Sequence, residues 1–148
     1  MRQYTLVVIA AVVAACGADP AAPPTGRDLR GTWDYSASGI SPGISLVCAV
    51  SGAQVTITTH SGTGFAGTHT SGQVVCTGSG STNFSLGSGT VVSAVANGDS
   101  VRFNFDNANY RHFGTIRADT MSGLLNLWVT LNGTSPTIAS GTWRLVKR

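Results

Sequence analysis

Several groupings in this 148-residue chain have residue types that could do chemistry, and each is decided by its surroundings. Gly39-Ile40-Ser41-Pro42-Gly43 has the spacing of a serine nucleophile on a tight turn. Such a turn needs a strand before it and a helix after it to expose the hydroxyl, and Pro42 with the β-like pattern that follows supplies neither. Gly62-Thr63-Gly64-Phe65-Ala66-Gly67 has the spacing of a phosphate-cradling loop. It opens no helix whose N-terminus could hold a pyrophosphate, and no Asp or Glu stands about 20 residues further on, so it reads as a hairpin. Of the three histidines, His60, His69 and His112, only the first two share a hairpin. Scattered strand histidines of this kind read as surface or internally satisfied residues rather than as a metal site. Asp34, Asp99, Asp106 and Asp119 fall at turns or on polar faces, with no pair placed at a glycosidase-like separation. No catalytic residue, metal or cofactor is expected, and the chain reads as non-enzymatic.

Cys16 carries a different chemistry. Arg2 supplies a positive start, Leu6 to Ala15 a short apolar stretch, and Val13-Ala14-Ala15 places small residues before Cys16. That order of parts is an export signal over residues 1–15, and about ten apolar residues are too few to span a bilayer as a helix. Val13-Ala14-Ala15-Cys16 resembles the bacterial lipobox, which implies that the Cys16 thiol receives a diacylglyceryl group and becomes the new N-terminus. Several acyl chains on one residue anchor a protein stably where one chain would not. By resemblance to enteric bacteria, Gly17 rather than Asp after the cysteine leans the address towards the outer membrane of the cell envelope. Residues 16–27, with Pro20, Pro23 and Pro24 among alanines, read as an extended tether of about 3 Å per residue. Residues 28–148 form one domain.

With Cys16 acylated, Cys48 and Cys76 remain to pair in an oxidising compartment. The two lie equally far from Gly62, as do Gly52 and Gly72. A hairpin turning near Ser61-Gly62-Thr63 brings each pair face to face, and a bulge or longer turn shifts the register by one. Closing a loop of roughly 30 residues stabilises by about 3 to 4 kcal/mol on the chain-entropy estimate.

The elements that must hold these residues are strands. No stretch of ten or more residues in the exported part shows the i, i+3, i+4 helical repeat, whereas period-two alternation recurs throughout. Leu29, Gly31, Trp33 and Tyr35 share one face; so do Val55, Ile57 and Thr59, then Val101, Phe103 and Phe105, then Leu125, Leu127, Val129 and Leu131. Asn97-Gly98 and Asn132-Gly133 read as type I′ hairpin turns, and a two-residue turn at Asn97-Gly98 sets Val92 across from Phe103 and Ala94 across from Val101. Strand segments are expected at 29–37, 45–51, 53–60, 64–71, 73–78, 89–96, 100–106, 110–118, 121–131 and 137–147, two or three of them continuous across bends, giving eight or nine strands. The glycines inside them mark kinks or bulges. The fold is read as all-β, a single antiparallel up-and-down β-barrel of about eight strands, with a β-sandwich as the alternative. Gly31-Thr32-Trp33 and Gly141-Thr142-Trp143 open and close the domain. In a closed barrel their strands are neighbours, so the two tryptophans could plug one end together.

Composition narrows the partners. The formal charge is +3 with 10% charged residues, one lysine and no glutamate, and removing the signal leaves about +2. No basic field of the size that nucleic acid requires is present.

These residues resemble the calycins, the superfamily of lipocalins and avidins. Gly31-Thr32-Trp33 is similar to the G-x-W of the first lipocalin strand, Gly64-Phe65-Ala66-Gly67-Thr68-His69 to an avidin hairpin strand, and Asp119-Thr120-Met121-Ser122-Gly123 and Leu127-Trp128-Val129 to later avidin segments. The resemblance implies a small barrel that holds an apolar ligand, with Trp33, Tyr35, Phe103, Phe105, Leu127 and Trp143 as its inward layer. Met121 stands where avidins place a biotin-stacking tryptophan, so biotin binding does not carry over. Arg144 matches the late lipocalin arginine, yet alternation sets it opposite in direction to Trp143, and both cannot point inward. The other expectation is a rigid scaffold that binds an envelope protein, as in the lipocalin-like periplasmic protease inhibitors, with the Gly/Ser-rich run Gly78 to Gly89 as the exposed loop.

Overall fold

The computed structural model describes residues 27–43, 45–78, 80–106, 110–129 and 137–148. The export signal, Cys16, residues 17–26 of the tether, Leu131 and the Asn132-Gly133 turn lie outside them. Ten strands follow in chain order: β1 (Gly31–Gly43), β2 (Leu46–Ser61), β3 (Gly64–His69), β4 (Gln73–Gly78), β5 (Thr82–Ser85), β6 (Gly89–Asn97), β7 (Ser100–Phe105), β8 (Tyr110–Arg117), β9 (Thr120–Val129) and β10 (Thr137–Lys147). All pairings are antiparallel. The order β1-β10-β9-β8-β7-β6-β3-β2 closes through β1–β2 into an eight-stranded barrel, and β4 and β5 stand outside it.

That arrangement rests on β2, whose 16 residues serve two structures. Val55 to Ser61 pair with β3 in the barrel wall, while Leu46 to Ser51 pair with β4, which with β5 forms an arm outside the closed ring. On its other edge this half of β2 still pairs with β1, at Val50, Cys48 and Leu46, and Val74 and Cys76 of β4 join the core. The segments expected at 45–51 and 53–60 are thus one strand running across Gly52. At Gly52 (φ 73°) the inward positions change phase, from Cys48 and Val50 to Ala53, Val55 and Ile57. A side chain at that φ would be strained, so glycine is suited to the change.

Cys48 and Cys76 are opposed in the β2–β4 ladder and joined as a disulfide. The route to this pairing is specific. The β2–β3 turn is Gly62-Thr63, between Ser61 and Gly64, which alone would miss the register centred on Gly62 by one residue. A shift between Ile57 and Thr59 restores it, and the ladder then runs in register from Leu46↔Gly78 to Ser51↔Gln73, one step short of Gly52 and Gly72. The same shift leaves Thr59 exposed rather than on the inward face with Val55 and Ile57.

The register expected between β6 and β7 is corrected in the same way. The turn residues are Gly98 and Asp99, with Asn97 opposite Ser100, and Gly98 adopts φ 57°. Val91 lies opposite Phe105 and Ala96 opposite Val101, so Val92 does not face Phe103 nor Ala94 Val101. An extra residue on β6, with Ser93 at φ 52°, absorbs the difference and keeps both Val91 and Ala94 buried. The glycine takes the positive-φ position, which slides the turn by one from the place expected.

The two tryptophans are inside the barrel but do not share an end. Antiparallel pairing of β1 and β10 sets Trp33 against Lys147 and Trp143 against Ala37. Trp33 closes one mouth: its Nε1 donates to the Leu29 carbonyl at 2.9 Å, and the Lys147 Nζ sits 5.5 Å above its ring. Trp143 lies deeper, its Nε1 donating to the carbonyls of Phe113 and Leu124 at 3.2 and 3.0 Å. Gly114 and Gly123 form the floor beneath this indole: a Cβ at Gly114 would sit 2.8 Å from Trp143 Cζ2. At both glycines a Cβ would also strike the backbone of the paired strand, Ser122 at Gly114 and Phe113 at Gly123, so they permit close strand approach as well as room for the ring. Arg144 is exposed, as strand alternation requires.

Candidate functional site

The six residues assigned to the inward layer are reported first. Trp33, Tyr35, Phe103, Phe105 and Trp143 are buried, and Leu127 is half-buried, facing inward between Tyr110 and Ala139. Their rings touch. Phe103 stacks on His112 at 4.3 Å between centroids and meets Trp143 at 5.1 Å, Phe105 at 5.7 Å and Phe65 at 6.1 Å. Tyr35 packs edge-on against Phe105 at 5.0 Å, and Phe105 stacks on His69 at 4.2 Å. One connected aromatic cluster therefore occupies the space in which a barrel of this size holds either side chains or one small ligand.

Two histidines belong to that cluster. His112 Nε2 and the Tyr35 hydroxyl are 2.9 Å apart, buried, and His112 Nδ1 has no hydrogen-bond partner. Burial pushes His112 down to about 3, against a smaller opposing pull from the Phe103 and Tyr110 backbone. Burial likewise pushes the Tyr35 phenol above its ordinary range. Both groups are neutral near pH 7, joined by one uncharged hydrogen bond. His69 Nε2 lies 3.1 Å from Asp106 Oδ2, and Asp106 also accepts the Thr90 N–H at 2.7 Å. The imidazole face is covered by Phe105, so the pair fastens β3 to the end of β7 rather than offering a base to a substrate. His60 lies at the edge of the cluster, its ring meeting Phe65 edge-on at 6.4 Å, and its Nδ1 accepts the Leu29 N–H at 3.3 Å. The inward position of His69 and His112 was readable from parity. His112 is in phase with Ile116 on one strand, and His69 with Phe65 on another.

The remaining motifs lie in strands. Gly39 to Gly43 is part of β1, and Gly62 to Gly67 is the β2–β3 turn with the start of β3. Asp34 pairs with Arg148 at 2.8 Å, while the Asp99 and Asp119 carbonyls accept the Ile116 and Lys147 N–H groups.

Outside the barrel, two surfaces remain. The first is the arm. The Gly/Ser-rich run expected as a loop contains β5, whose four residues are exposed and pair with β4 alone. Phe84 at its centre is 52% exposed beside a hollow of about 570 Å³ lined by Ser51, Gly72, Gln73 and Ser85. The Leu86 N–H donates to the Gly72 carbonyl at 2.8 Å. Alternation from that bond turns the backbone groups of Phe84 towards β4 and leaves those of Asn83 and Ser85 on the open edge. The second surface is the outer wall of β7 to β10, where Phe113 and Leu124 stand exposed and directly opposed.

The closed eight-stranded antiparallel barrel is consistent with the calycin resemblance at the level of fold. No family model, curated protein or solved structure matches the chain.

Proposed function

We propose that this protein is a lipid-anchored, non-catalytic protein of the bacterial envelope whose barrel is a scaffold and whose arm binds another protein. The observation that carries the reading is the Phe103 ring, in contact with rings or an imidazole on several sides at the middle of the barrel. A container for an apolar ligand would need that space, whereas a scaffold gains stability from filling it. The arm supplies what a scaffold needs in order to bind: an open strand edge with unpaired backbone groups, an exposed Phe84, and a disulfide holding β4 to β2. A partner strand added to β5 would gain main-chain hydrogen bonds from Asn83 and Ser85 and an apolar contact from Phe84. The anchor reading is supported by the order of residues around Cys16.

Native mass spectrometry of the detergent-extracted protein tests both halves. The expected species is a barrel free of small molecules that retains a protein partner, and the partner is lost on Asn83→Pro with Phe84→Asp while the melting temperature holds. A stoichiometric apolar adduct that Phe103→Ala releases would refute the scaffold reading.

A further inference from the structure

The outer wall of β7 to β10 carries a pattern that neither the core nor the arm uses. Cross-strand pairing aligns Arg102, Phe113, Leu124 and Thr142 in one row. The adjacent row aligns Thr115, Ser122, Arg144 and Ser36. A solvated barrel wall would place polar residues throughout both rows, yet Phe113 and Leu124 are 44% and 61% exposed at directly opposed positions. Beside them lies a groove of about 570 Å³ bordered by Leu124, Thr142, Arg144, Ser36 and Ser122. Among the described residues the ion pairs are Arg30–Asp28, His69–Asp106 and Arg148–Asp34, so Arg102 and Arg144 are engaged in none.

The chemistry of the rows is specific. Arg144 is flanked across both neighbouring strands by serine hydroxyls, Ser122 and Ser36. A guanidinium with hydroxyl donors on either side suits a phosphate, which accepts from a planar fork and from O–H groups together. The apolar pair beside it suits the boundary between headgroups and acyl chains. A phosphodiester adjoining hydrocarbon is the surface of an anionic phospholipid bilayer.

The first described residue lies at the same wall. Arg27, where the tether meets the barrel, donates to the Ala118 carbonyl at 3.1 Å. Ala118 is in the turn between β8 and β9, the strands that carry Phe113 and Leu124. Arg27 thus lies at one end of this wall, and a chain the length of residues 16–27 would reach about 35 Å if extended at about 3 Å per residue. A domain held there can lie with the β7 to β10 wall against the bilayer.

The geometry points to this wall as a membrane-facing surface that seats an anionic phospholipid phosphate at Arg144, with Arg102 as a second cationic contact and Phe113 and Leu124 in the interfacial layer. The inference rests on the lipid-anchored reading.

Hydroxyl-radical footprinting of the full-length acylated protein tests it on two vesicles, phosphatidylcholine alone and phosphatidylcholine with phosphatidylglycerol. Oxidation of Phe113 and Leu124 is expected to fall several-fold on the anionic vesicles, and Arg102→Ser with Arg144→Ser to abolish that fall. Phe84 on the arm is the internal reference and stays unchanged. Equal oxidation on both vesicles in a protein whose intact mass carries the acyl chains overturns the inference and leaves the anchor reading standing. Equal protection on both that survives the double substitution likewise overturns it, by showing only crowding at the tether. A chain whose mass lacks acyl groups, but which floats with anionic vesicles alone and shows the same protection, upholds the surface and removes the anchor reading.

Discussion

Acidification should weaken the barrel from its centre, through His112. Burial lowers its pKa from the ordinary 6.5 to about 3, with the nearby His69 contributing in the same direction. Between those values the unfolded chain binds a proton that the folded protein does not. The contribution is therefore complete above pH 6.5 and is lost as pH falls towards 3, at about 1.4 kcal/mol per pH unit. From pH 6.5, where the unfolded imidazole is already half protonated, to pH 4.5 the loss is about 2 kcal/mol, a large part of the stability of a small domain. The comparison protein is Tyr35→Phe with His112→Phe, which keeps a ring stacked on Phe103 and removes both partners of the 2.9 Å hydrogen bond together. Urea unfolding of both proteins, followed by the fluorescence of the buried Trp33 and Trp143, is measured across this range. Other titrating groups largely cancel in the difference, so the wild-type protein should lose about 2 kcal/mol relative to the variant between pH 6.5 and 4.5. Parallel pH dependences would refute the assignment of the proton to His112. At the alkaline end the sign reverses: Tyr35 and Tyr110 are both raised by burial, so the unfolded chain releases phenolic protons first and stability falls above about pH 10.

Replacing Cys48 and Cys76 together by Ala should cost about 3 to 4 kcal/mol in urea unfolding, from the loop of 28-residue separation that the bridge closes. An unchanged midpoint would mean that the unfolded arm is already constrained. Gly114→Ala should destabilise by about 1 to 3 kcal/mol and shift tryptophan emission to the red, because the new Cβ strikes the Ser122 carbonyl of β9 and the Trp143 indole together, and both must move. Unchanged emission would place the indole elsewhere.

Much of the architecture was legible because burial on one face leaves a period of two. Trp33 with Tyr35, and Val101 with Phe103 and Phe105, read directly as inward sets, and all are buried. The symmetric spacing of Cys48 and Cys76 about Gly62 identified their pairing, although the bulge between Ile57 and Thr59 that makes it work leaves no mark in composition. Bulges are where the reading stopped. A turn slid by one residue moved the partners nearest it, and an extra residue on β6 shifted those beyond it again, since alternation reports the face of a residue and not its opposite number. β5 was missed because Thr82 to Ser85 are all exposed, and an edge strand with no buried face has no alternation to read. The buried histidines were passed over for the opposite reason: their parity was clear, but imidazole is not expected in a hydrophobic layer.

One strand shared between barrel and arm also decides where a load would go. A partner pulling on β5 pulls on β4, and β4 is bonded covalently to β2 through Cys48–Cys76. β2 is held along one edge by β1 from Leu46 onward, and along the other by β3 from Val55 to Ser61. Tension applied at the tip is thus carried along a strand axis and divided among many hydrogen bonds sheared at once, instead of opening them one at a time. If Cys16 carries the lipid proposed above, the domain would act as a rigid link in a tensioned line between a membrane and whatever the arm grips.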